Sequence, residues 1–215
     1  MKKAMITEQT TPKAYDTDAV LEQAMLLFWE KGYEATNLED LETRMGVNRF
    51  GIYSSFHSKQ QLFLAALDRY EARYGASICA QLTASGAGLS TIKRLFKGLT
   101  AAATQGNRLG CFMCNCVVER SLVDPDTAAR VKDHFARLEE AFYATLRNAR
   151  KKGEIQGKRN LRACARFLIV ALQGMQVSLR MGQEPNNVKD VVKLILHEVG
   201  SWQGFDAQKD GNDTA

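Results

Sequence analysis

Apolar residues recur every three or four positions along most of the chain, which is the spacing of one face of an α-helix. The first such stripe consists of five side chains, Val20, Leu21, Ala24, Leu27 and Phe28. Only three prolines interrupt the 215 residues, and Pro125 and Pro185 each follow an acidic residue in a segment typical of a helix start. No alternating apolar pattern of useful length is present. The sequence therefore predicts an all-α fold.

Glycines and capping residues divide this pattern into helices. Asp16 or Thr17 opens the first helix, which Gly32 ends, and Ser58 precedes a fourth helix. Longer helices are predicted over residues 91–103, 110–122, 126–152, 161–181 and 188–202. A loose polar arm is expected over residues 1–15.

Gly86 and Gly88 interrupt the helical pattern in the middle of the chain. Because paired glycines favour loops, they mark a candidate domain boundary.

Composition narrows the class of protein. Hydrophobic residues make up 45% and charged residues 25%, which excludes a fibrous or largely disordered chain. The net charge of +5 is compatible with a polyanionic partner without demonstrating one. No run approaches the ~18 apolar residues of a membrane span, and residues 1–14 are too polar for a secretory signal. The five cysteines are odd in number and mostly clustered, which does not suit a secreted disulfide framework. We therefore expect a cytoplasmic protein with no membrane partner.

Residues 36–63 are the most informative stretch. Two short helices joined by a turn at Gly46 are the geometry of a helix-turn-helix, whose second helix enters the DNA major groove. Spacing assigns five side chains to the contact between these helices: Leu41, Met45, Val47, Ile52 and Phe56. The outer face of the second helix would consist of Arg49, Phe50, Gly51, Ser54 and Ser55. Between residues 43 and 60 every charged side chain is a cation. Spacing alone leaves two interpretations, a DNA-binding motif or a helical hairpin with a solvated basic edge.

Four segments of this region carry a family pattern: Gly32-Tyr33-Glu34-Ala35-Thr36, Leu38-Glu39-Asp40-Leu41, Met45-Gly46-Val47-Asn48 and Ile52-Tyr53-Ser54-Ser55-Phe56-His57-Ser58-Lys59. Over residues 16–75 the chain resembles the N-terminal signature of TetR-family transcriptional repressors. The resemblance implies an all-α homodimer with a three-helix DNA-binding head and a larger C-terminal domain for ligand binding and dimerisation. We accordingly expect an arm and helix-turn-helix DNA-binding domain over residues 1–60, an effector-binding and dimerisation domain over 61–203, and a flexible tail over 204–215.

By position, the resemblance also assigns roles in the DNA-binding head. Phosphate contacts are expected from Thr36, Asn37, Tyr53 and Lys59, and His57 is expected to belong to the same DNA-binding surface. Such contacts set affinity and register but carry no sequence information. Base reading is expected from Arg49, Phe50, Gly51 and Ser54. An arginine pairs with a guanine edge. At Phe50, where the family usually has a small residue or proline, two alternatives stay open: contact with a thymine methyl, or a partly buried surface aromatic.

A cysteine cluster follows in the segment Gly110-Cys111-Phe112-Met113-Cys114-Asn115-Cys116. With Glu119, part of this segment resembles a short signature found in a subset of TetR-like proteins. A regular helix places Cys116 on the opposite side from Cys114, so no metal site is predicted. Two interpretations stay open. Cys111 or Cys114 is a thiol sensor whose pKa is lowered by the helix start and by Arg108, or the cysteines are ordinary core residues.

The later helices carry large apolar side chains at helical spacing. With the cysteines, the expected effector pocket or sensor comprises Phe96, Cys111, Phe112, Cys114, Cys116, Phe135, Phe142 and Phe167. Such residues are more often simple core, but the interior of a helical bundle is also a usual site for an apolar ligand. The resemblance places the last two helices in a dimer bundle, with the partner facing Val170, Gln173, Gly174, Val177, Val191, Val192 and Ile195.

Two functions follow from these patterns. The first is a ligand-responsive transcriptional repressor that a small apolar or thiol-reactive effector releases from a palindromic operator. Its partners would be double-stranded operator DNA, the effector and a second copy of the chain. The alternative is a thiol redox or metal-dependent enzyme built on Cys111, Cys114 and Cys116. No phosphate loop, metal-binding His pair or dinucleotide glycine pattern occurs, so we expect no enzymatic activity and no cofactor.

Overall fold

The computed structural model describes residues 15–203, and within this range the chain consists of α-helices, one π-helical segment and loops, without a β-strand. The predicted all-α fold is confirmed. The expected tail, and the expected arm apart from Tyr15, lie outside the described residues. Two compact units are present, the first ending at Ala66 and the second beginning at Leu67. Between residues 15 and 203, no helix is both long and apolar enough to cross a membrane.

The first unit holds three short helices and the start of a fourth. Their bounds are α1 (Thr17–Lys31), α2 (Leu38–Met45), α3 (Arg49–Phe56) and α4 (Lys59–Tyr70). Asp16 accepts the N–H of Asp18 at the start of α1, and Asn48 accepts the N–H of Gly51 at the start of α3. Gly46 ends α2 with a φ of 66°, a left-handed conformation that glycine adopts without strain.

Each helix of the first unit contributes a fully buried side chain. Phe28 of α1 meets Phe63 of α4 edge to face, with the ring centroids 5.1 Å apart. Tyr33 lies 4.9 Å from the same Phe63 ring. Leu41 of α2 and Ile52 of α3 are also fully buried. Burial of these side chains stabilises helices that would be too short to persist alone.

The second unit contains the remaining helices. After α4 come a π-helical segment (Glu71–Gly75), α5 (Ala76–Thr83), α6 (Leu89–Thr104), α7 (Phe112–Glu119), α8 (Pro125–Lys151), α9 (Leu161–Arg180) and α10 (Pro185–Ser201). Helix α8 packs along α5 and α9, and α10 packs along α6. Phe96, Phe142 and Trp202 are fully buried in the core of this unit. Pro125 and Pro185 are the first residues of α8 and α10, where the missing N–H would be unpaired in any case.

Two boundary predictions are wrong. Gly86 and Gly88 lie between α5 and α6 inside the second unit, so they do not separate domains. The N–H of Leu89 donates to the Glu154 carboxylate at 2.8 Å, which ties this turn to the loop after α8. Gly110 lies outside α7 because its φ is 64°, and the helix begins two residues later.

Phe142→Ala tests whether this ring belongs to the core. The ring is completely buried, so its removal leaves a cavity and should lower the free energy of unfolding by about 3–5 kcal/mol. Leu122→Ala is the matched control in the same unit, because Leu122 is 95% exposed and its truncation should change stability by less than about 0.5 kcal/mol. Chemical denaturation followed by circular dichroism measures both, and a small loss for Phe142→Ala would contradict its place in the core.

Candidate nucleic-acid interface

Helix α3 buries one face and presents the other to solvent. Ile52 is completely buried, whereas Phe50 is 83% exposed and Tyr53 is 39% exposed. Arg49 and Ser54 are exposed on the same helix. A partner approaching α3 would therefore meet these four side chains.

Gly51 was expected to face a base, and the structure corrects this. A Cβ atom at Gly51 would lie 2.5 Å from a Val47 methyl carbon and 3.3 Å from the Tyr15 ring. Its carbonyl accepts hydrogen bonds from the Tyr15 hydroxyl at 2.8 Å and from the Ser54 hydroxyl at 3.0 Å. Glycine occupies this position because the backbone packs closely inside the unit.

Tyr15 is a residue that the sequence analysis missed. Its hydroxyl donates to the Gly51 carbonyl and lies 2.5 Å from the Ser55 hydroxyl, so one side chain holds two positions of α3. The only signal in the sequence is an aromatic residue directly before the Asp16 cap, and helical periodicity does not extend to it.

The start of α2 also differs from expectation. Thr36 is completely buried and its hydroxyl donates to the Gly32 carbonyl at 2.6 Å, so it is not presented to a phosphate. Asn37 is exposed and forms a capping box, in which its side chain accepts the Asp40 N–H and its own N–H donates to the Asp40 carboxylate. The Lys31 ammonium, 2.7 Å from that carboxylate, holds the pKa of Asp40 below its usual value. At this helix end only Asn37 remains accessible as expected.

The cations of the motif have different surroundings. Arg44 makes a double contact with the Glu30 carboxylate, at 2.9 and 3.2 Å, and therefore links α2 to α1. The backbone N–H of Arg49 donates to the Glu42 carboxylate, while the Arg49 side chain is exposed. The Lys59 ammonium lies 4.2 Å from the centroid of the Tyr33 ring. Arg49 is the first residue of α3, and Lys59 is the first residue of α4.

His57 follows α3 in an unusual backbone conformation. It has a φ of 66°, the one positive φ of a residue other than glycine between residues 15 and 203. Its N–H donates to the Tyr53 carbonyl at 2.9 Å, and its side chain is exposed. Such strained residues cluster at functional sites, which is consistent with the role expected for His57.

In the second unit, the residues expected to form one effector pocket are separated. Phe96, Phe112 and Phe142 are buried, and Phe135 is partly buried with its ring 5.0 Å from that of His134. Phe167, in contrast, is 40% exposed. It lines a cavity of about 640 Å³ between α9 and α10, together with Gly174, Ser178, Asn187, Val191 and Ile195. Phe167 therefore does not share a site with the other phenylalanines, because it lies on the outer face of α9.

The residues expected at a dimer interface also divide into two groups. Val170, Val177 and Val191 are exposed apolar side chains. Gly174 is exposed and Gln173 partly so. Val192 and Ile195 are buried in the core of their own unit, so their assignment to a partner-facing surface is wrong. Met181 and Leu194, both 70% exposed, are further apolar side chains on the surface of this region.

The cysteine segment begins α7. Cys111 is the residue before the helix, Cys114 lies in its first turn, and both are buried. The Tyr70 hydroxyl donates to the Cys111 sulfur at 3.4 Å. A hydrogen bond from Cys114, with another from His134, brings the pKa of Cys111 well below its ordinary value despite burial. Burial raises the pKa of Cys116. In the part of the chain described, no three His, Cys, Asp or Glu side chains are grouped so as to hold a metal ion.

A short second helix that follows a glycine turn, packs one face on the first helix and exposes the other is the arrangement that reads DNA in the major groove. The fold and the interface define a helix-turn-helix transcriptional regulator.

Comparisons with known proteins identify the family. The family model described as bacterial regulatory proteins of the tetR family matches residues 20–66. The model of the tetracyclin repressor-like C-terminal domain matches residues 88–195. The HTH-type transcriptional repressor ComR of Escherichia coli strain K12 is 36% identical over 187 residues, which cover 86% of this chain and 89% of ComR. The HTH-type regulator YezE of Bacillus subtilis strain 168 is 30% identical over 186 residues, 86% of this chain and 96% of YezE. The chain belongs to the TetR family.

A solved structure shares the fold. It contains a cysteine mutant of the TetR family transcriptional regulator CifR complexed with 26-bp double-strand operator DNA, and it matches with a TM-score of 0.72 at 22% identity. The match covers 87% of this chain and 98% of that chain.

Tyr15→Phe tests the anchoring of α3. Loss of the hydroxyl removes the hydrogen bond to the Gly51 carbonyl and should destabilise the first unit by about 1 kcal/mol. Tyr53→Phe is the matched control, because the Tyr53 side chain is exposed and its hydroxyl should not contribute to folding. Amide hydrogen exchange across α3 measures the effect. Unchanged protection in Tyr15→Phe would contradict an anchoring role.

Proposed function

We propose that this chain is a transcriptional repressor that binds a palindromic operator as a homodimer and is released by a small-molecule effector. The observation that carries the proposal is the exposed outer face of α3, fixed from behind by buried Ile52 and by the close backbone contact at Gly51. ComR is named as a repressor, and the CifR structure contains operator DNA, which supports the same role here. Residues 1–60 would bind DNA, and residues 61–203 would bind the effector and the second copy. A repressor that binds operator DNA in this way would act in the cytoplasm.

In this proposal α3 lies in the major groove. The Arg49 guanidinium would donate to a guanine edge, the Phe50 ring would contact a thymine methyl, and Ser54 would reach a neighbouring base. Phosphates would be met by Asn37, Tyr53, His57 and Lys59, which fix the position of α3 without reading sequence. Thr36 and Gly51 would support these contacts only through packing.

The dimer would form through α9 and α10. Val170 and Val177 lie two turns apart on α9 and are 66% and 49% exposed, and Val191 and Leu194 are exposed on α10. A solvent-exposed apolar face of this kind is typical of a surface that binds another protein. A two-fold axis would let the same face of each copy cover the other, and two recognition helices related by that axis would match a palindrome.

Two places in the second unit are candidates for the effector. The cavity between α9 and α10 has a volume of about 640 Å³ and a mainly apolar lining, which suits a small ligand. Because Val191 lines this cavity and also belongs to the proposed dimer face, a ligand bound there would lie at the dimer interface. The buried thiol pair beside His134 would instead take a thiol-reactive molecule. We propose an effector of one of these two classes.

Substitution of Arg49 and Lys59 tests the DNA interface. Arg49→Ala should cost ~1–3 kcal/mol of binding free energy on the preferred site and relax the preference at one base pair, because a guanine loses its partner. Lys59→Ala should weaken binding about equally on all sequences and lower the slope of log affinity against log salt by about 1. Selection of bound sequences from random DNA, followed by titration at several salt concentrations, measures both effects.

Lys132→Ala, an exposed cation on α8, is the control and should leave operator binding unchanged. If Arg49→Ala lost the same affinity for every variant of the DNA site, Arg49 would not be a base-reading residue. Failure of the reduced wild-type protein to select any duplex would refute the proposed function itself.

Val170→Glu tests the dimer face. A carboxylate in the centre of an apolar interface would lose its hydration, so we expect monomers at micromolar concentration and loss of binding to the full palindrome. Val118→Glu is the matched control, since Val118 is 86% exposed on α7, and this variant should remain dimeric. Analytical ultracentrifugation measures the state of each variant. A dimeric Val170→Glu protein would place the interface elsewhere.

A further inference from the structure

Two thiols lie one turn apart at the start of α7. Cys111 directly precedes the helix, with φ −101° and ψ 128°, and Cys114 is in its first turn. Residues three apart at a helix start have Cα atoms about 5 Å from each other. This separation lies within the range that a disulfide spans, and two cysteines separated by two residues at a helix start are typical of redox-active dithiols.

The surroundings of the Cys111 sulfur favour its thiolate. The Tyr70 hydroxyl donates to it at 3.4 Å, and the Cys114 thiol and the His134 ring of α8 also donate to it. These hydrogen bonds place the pKa of Cys111 well below its ordinary value. The same contacts, with Glu71, outweigh burial and raise the pKa of His134 to about 9. These contacts therefore favour a thiolate at Cys111 beside a protonated His134 ring.

A second layer of charged groups holds His134 in place. Its Nδ1 donates to the Glu71 carboxylate at 2.5 Å, and the Arg137 guanidinium lies 3.3 Å from the other oxygen of that carboxylate. Glu71 is the first residue of the π-helical segment, and its bond with His134 lowers its pKa. Arg108, which the sequence analysis expected to assist the thiolate, packs against Gly182 instead. His134 supplies the positive charge.

The remaining cysteines have different surroundings. Burial raises the pKa values of Cys116, Cys79 and Cys164, so these thiols stay protonated. Helix geometry turns Cys116 about 200° away from Cys114 around the axis of α7. The hydrogen bond to Cys111 raises the pKa of Cys114. One activated thiolate and one adjacent thiol are the combination that forms a disulfide after oxidation of the first sulfur.

We propose that Cys111 and Cys114 are a peroxide-reactive dithiol, which hydroperoxides convert into an intramolecular disulfide. The Cys111 thiolate attacks one oxygen of hydrogen peroxide, so that an S–O bond forms and the O–O bond breaks. The departing hydroxide takes a proton from His134 and leaves as water. The Cys114 sulfur then attacks the Cys111 sulfenic acid, so that the S–S bond forms, the S–O bond breaks, and the Cys114 proton leaves with the hydroxyl group as a second water. Two thiols lose two electrons, and one peroxide becomes two waters.

The effect of this disulfide on DNA binding rests on the proposed function. The chain before Cys111 is tightly packed on α9, because a Cβ atom at Gly110 would lie 2.7 Å from the Gln176 carbonyl oxygen. A new bond across the first turn of α7 therefore acts next to the helix that carries Val170 and Val177. We expect oxidation to weaken operator binding at least tenfold.

Mass spectrometry of the full-length protein tests the dithiol without any DNA. Cleavage after Arg108 and Arg120 gives one peptide, residues 109–120, that contains Cys111, Cys114 and Cys116. Reduced protein alkylated with N-ethylmaleimide should carry three labels on this peptide. After hydrogen peroxide it should carry one, located on Cys116 by fragmentation. Three retained labels, or a label on Cys111 or Cys114 in place of Cys116, would overturn the proposal.

Three variants separate reactivity from structure. Cys114→Ala should stop at the Cys111 sulfenic acid, trapped with dimedone, whereas Cys164→Ala, a buried cysteine of α9, should form the disulfide like the wild type. His134→Asn should slow the reaction of Cys111 with peroxide roughly tenfold at pH 7. In this variant the rate constant should increase with pH up to the ordinary thiol pKa of about 8.5. If His134 had only a structural role, the rate constant of the variant would not depend on pH in this way. Circular dichroism checks that each variant is folded. Whether the disulfide forms is decided by the labels on the wild-type peptide 109–120, which does not depend on any variant.

Operator binding of oxidised and reduced wild-type protein is then compared, with oxidised Cys114→Ala as reference. Reduced protein without DNA affinity would refute the proposed function and leave the dithiol result intact. Equal affinity of the disulfide and reduced forms would overturn the regulatory effect alone.

Discussion

Helix α3 has eight residues, too few to persist in water on its own. Its conformation depends on the contact at Gly51, where the backbone approaches Val47 and Tyr15 more closely than a side chain would permit. Buried Ile52 and the Asn48 cap complete this attachment. Because the inner face is fixed at the level of the backbone, the helix presents its outer face in one direction. A helix that reads bases needs such support, since a displacement of about 1 Å would separate donors from their acceptors.

The second unit contains the opposite kind of constraint, a series of polar groups that leads from the exposed Arg137 through the partly buried Glu71 to the buried His134 and Cys111. An isolated buried charge costs far more than it contributes, so each must have a partner. Here the Glu71 carboxylate lies between Arg137 and His134, and His134 lies between Glu71 and Cys111. Removal of one member would leave the next uncompensated. In the proposed oxidation, conversion of the Cys111 sulfur into a neutral disulfide would therefore also change the balance of charge at His134.

Helical periodicity predicted the elements and the buried stripes, including Phe142, because burial of an apolar face is what gives a helix its pattern. It could not tell whether an apolar side chain faces its own chain or a partner, so Val192 was grouped with Val191 although only the latter is exposed. The position of Gly51 in the family pattern could not show whether this glycine packs inside the unit or contacts DNA. Tyr15 was beyond either method, because its role arises from a contact with a helix more than thirty residues away.

A recognition helix of eight residues is about 12 Å long, the length of roughly three to four base pairs at ~3.4 Å each. A sequence of only three to four base pairs occurs at very many places in a genome. A second copy doubles the sequence that is read, provided that the two helices keep one fixed spacing. In the proposed dimer, the apolar face of α9 and α10 would contribute to sequence recognition without touching DNA. In the proposed dimer, an effector or a disulfide in the second unit would therefore abolish recognition by changing the spacing of the two helices, without a change at Arg49 itself.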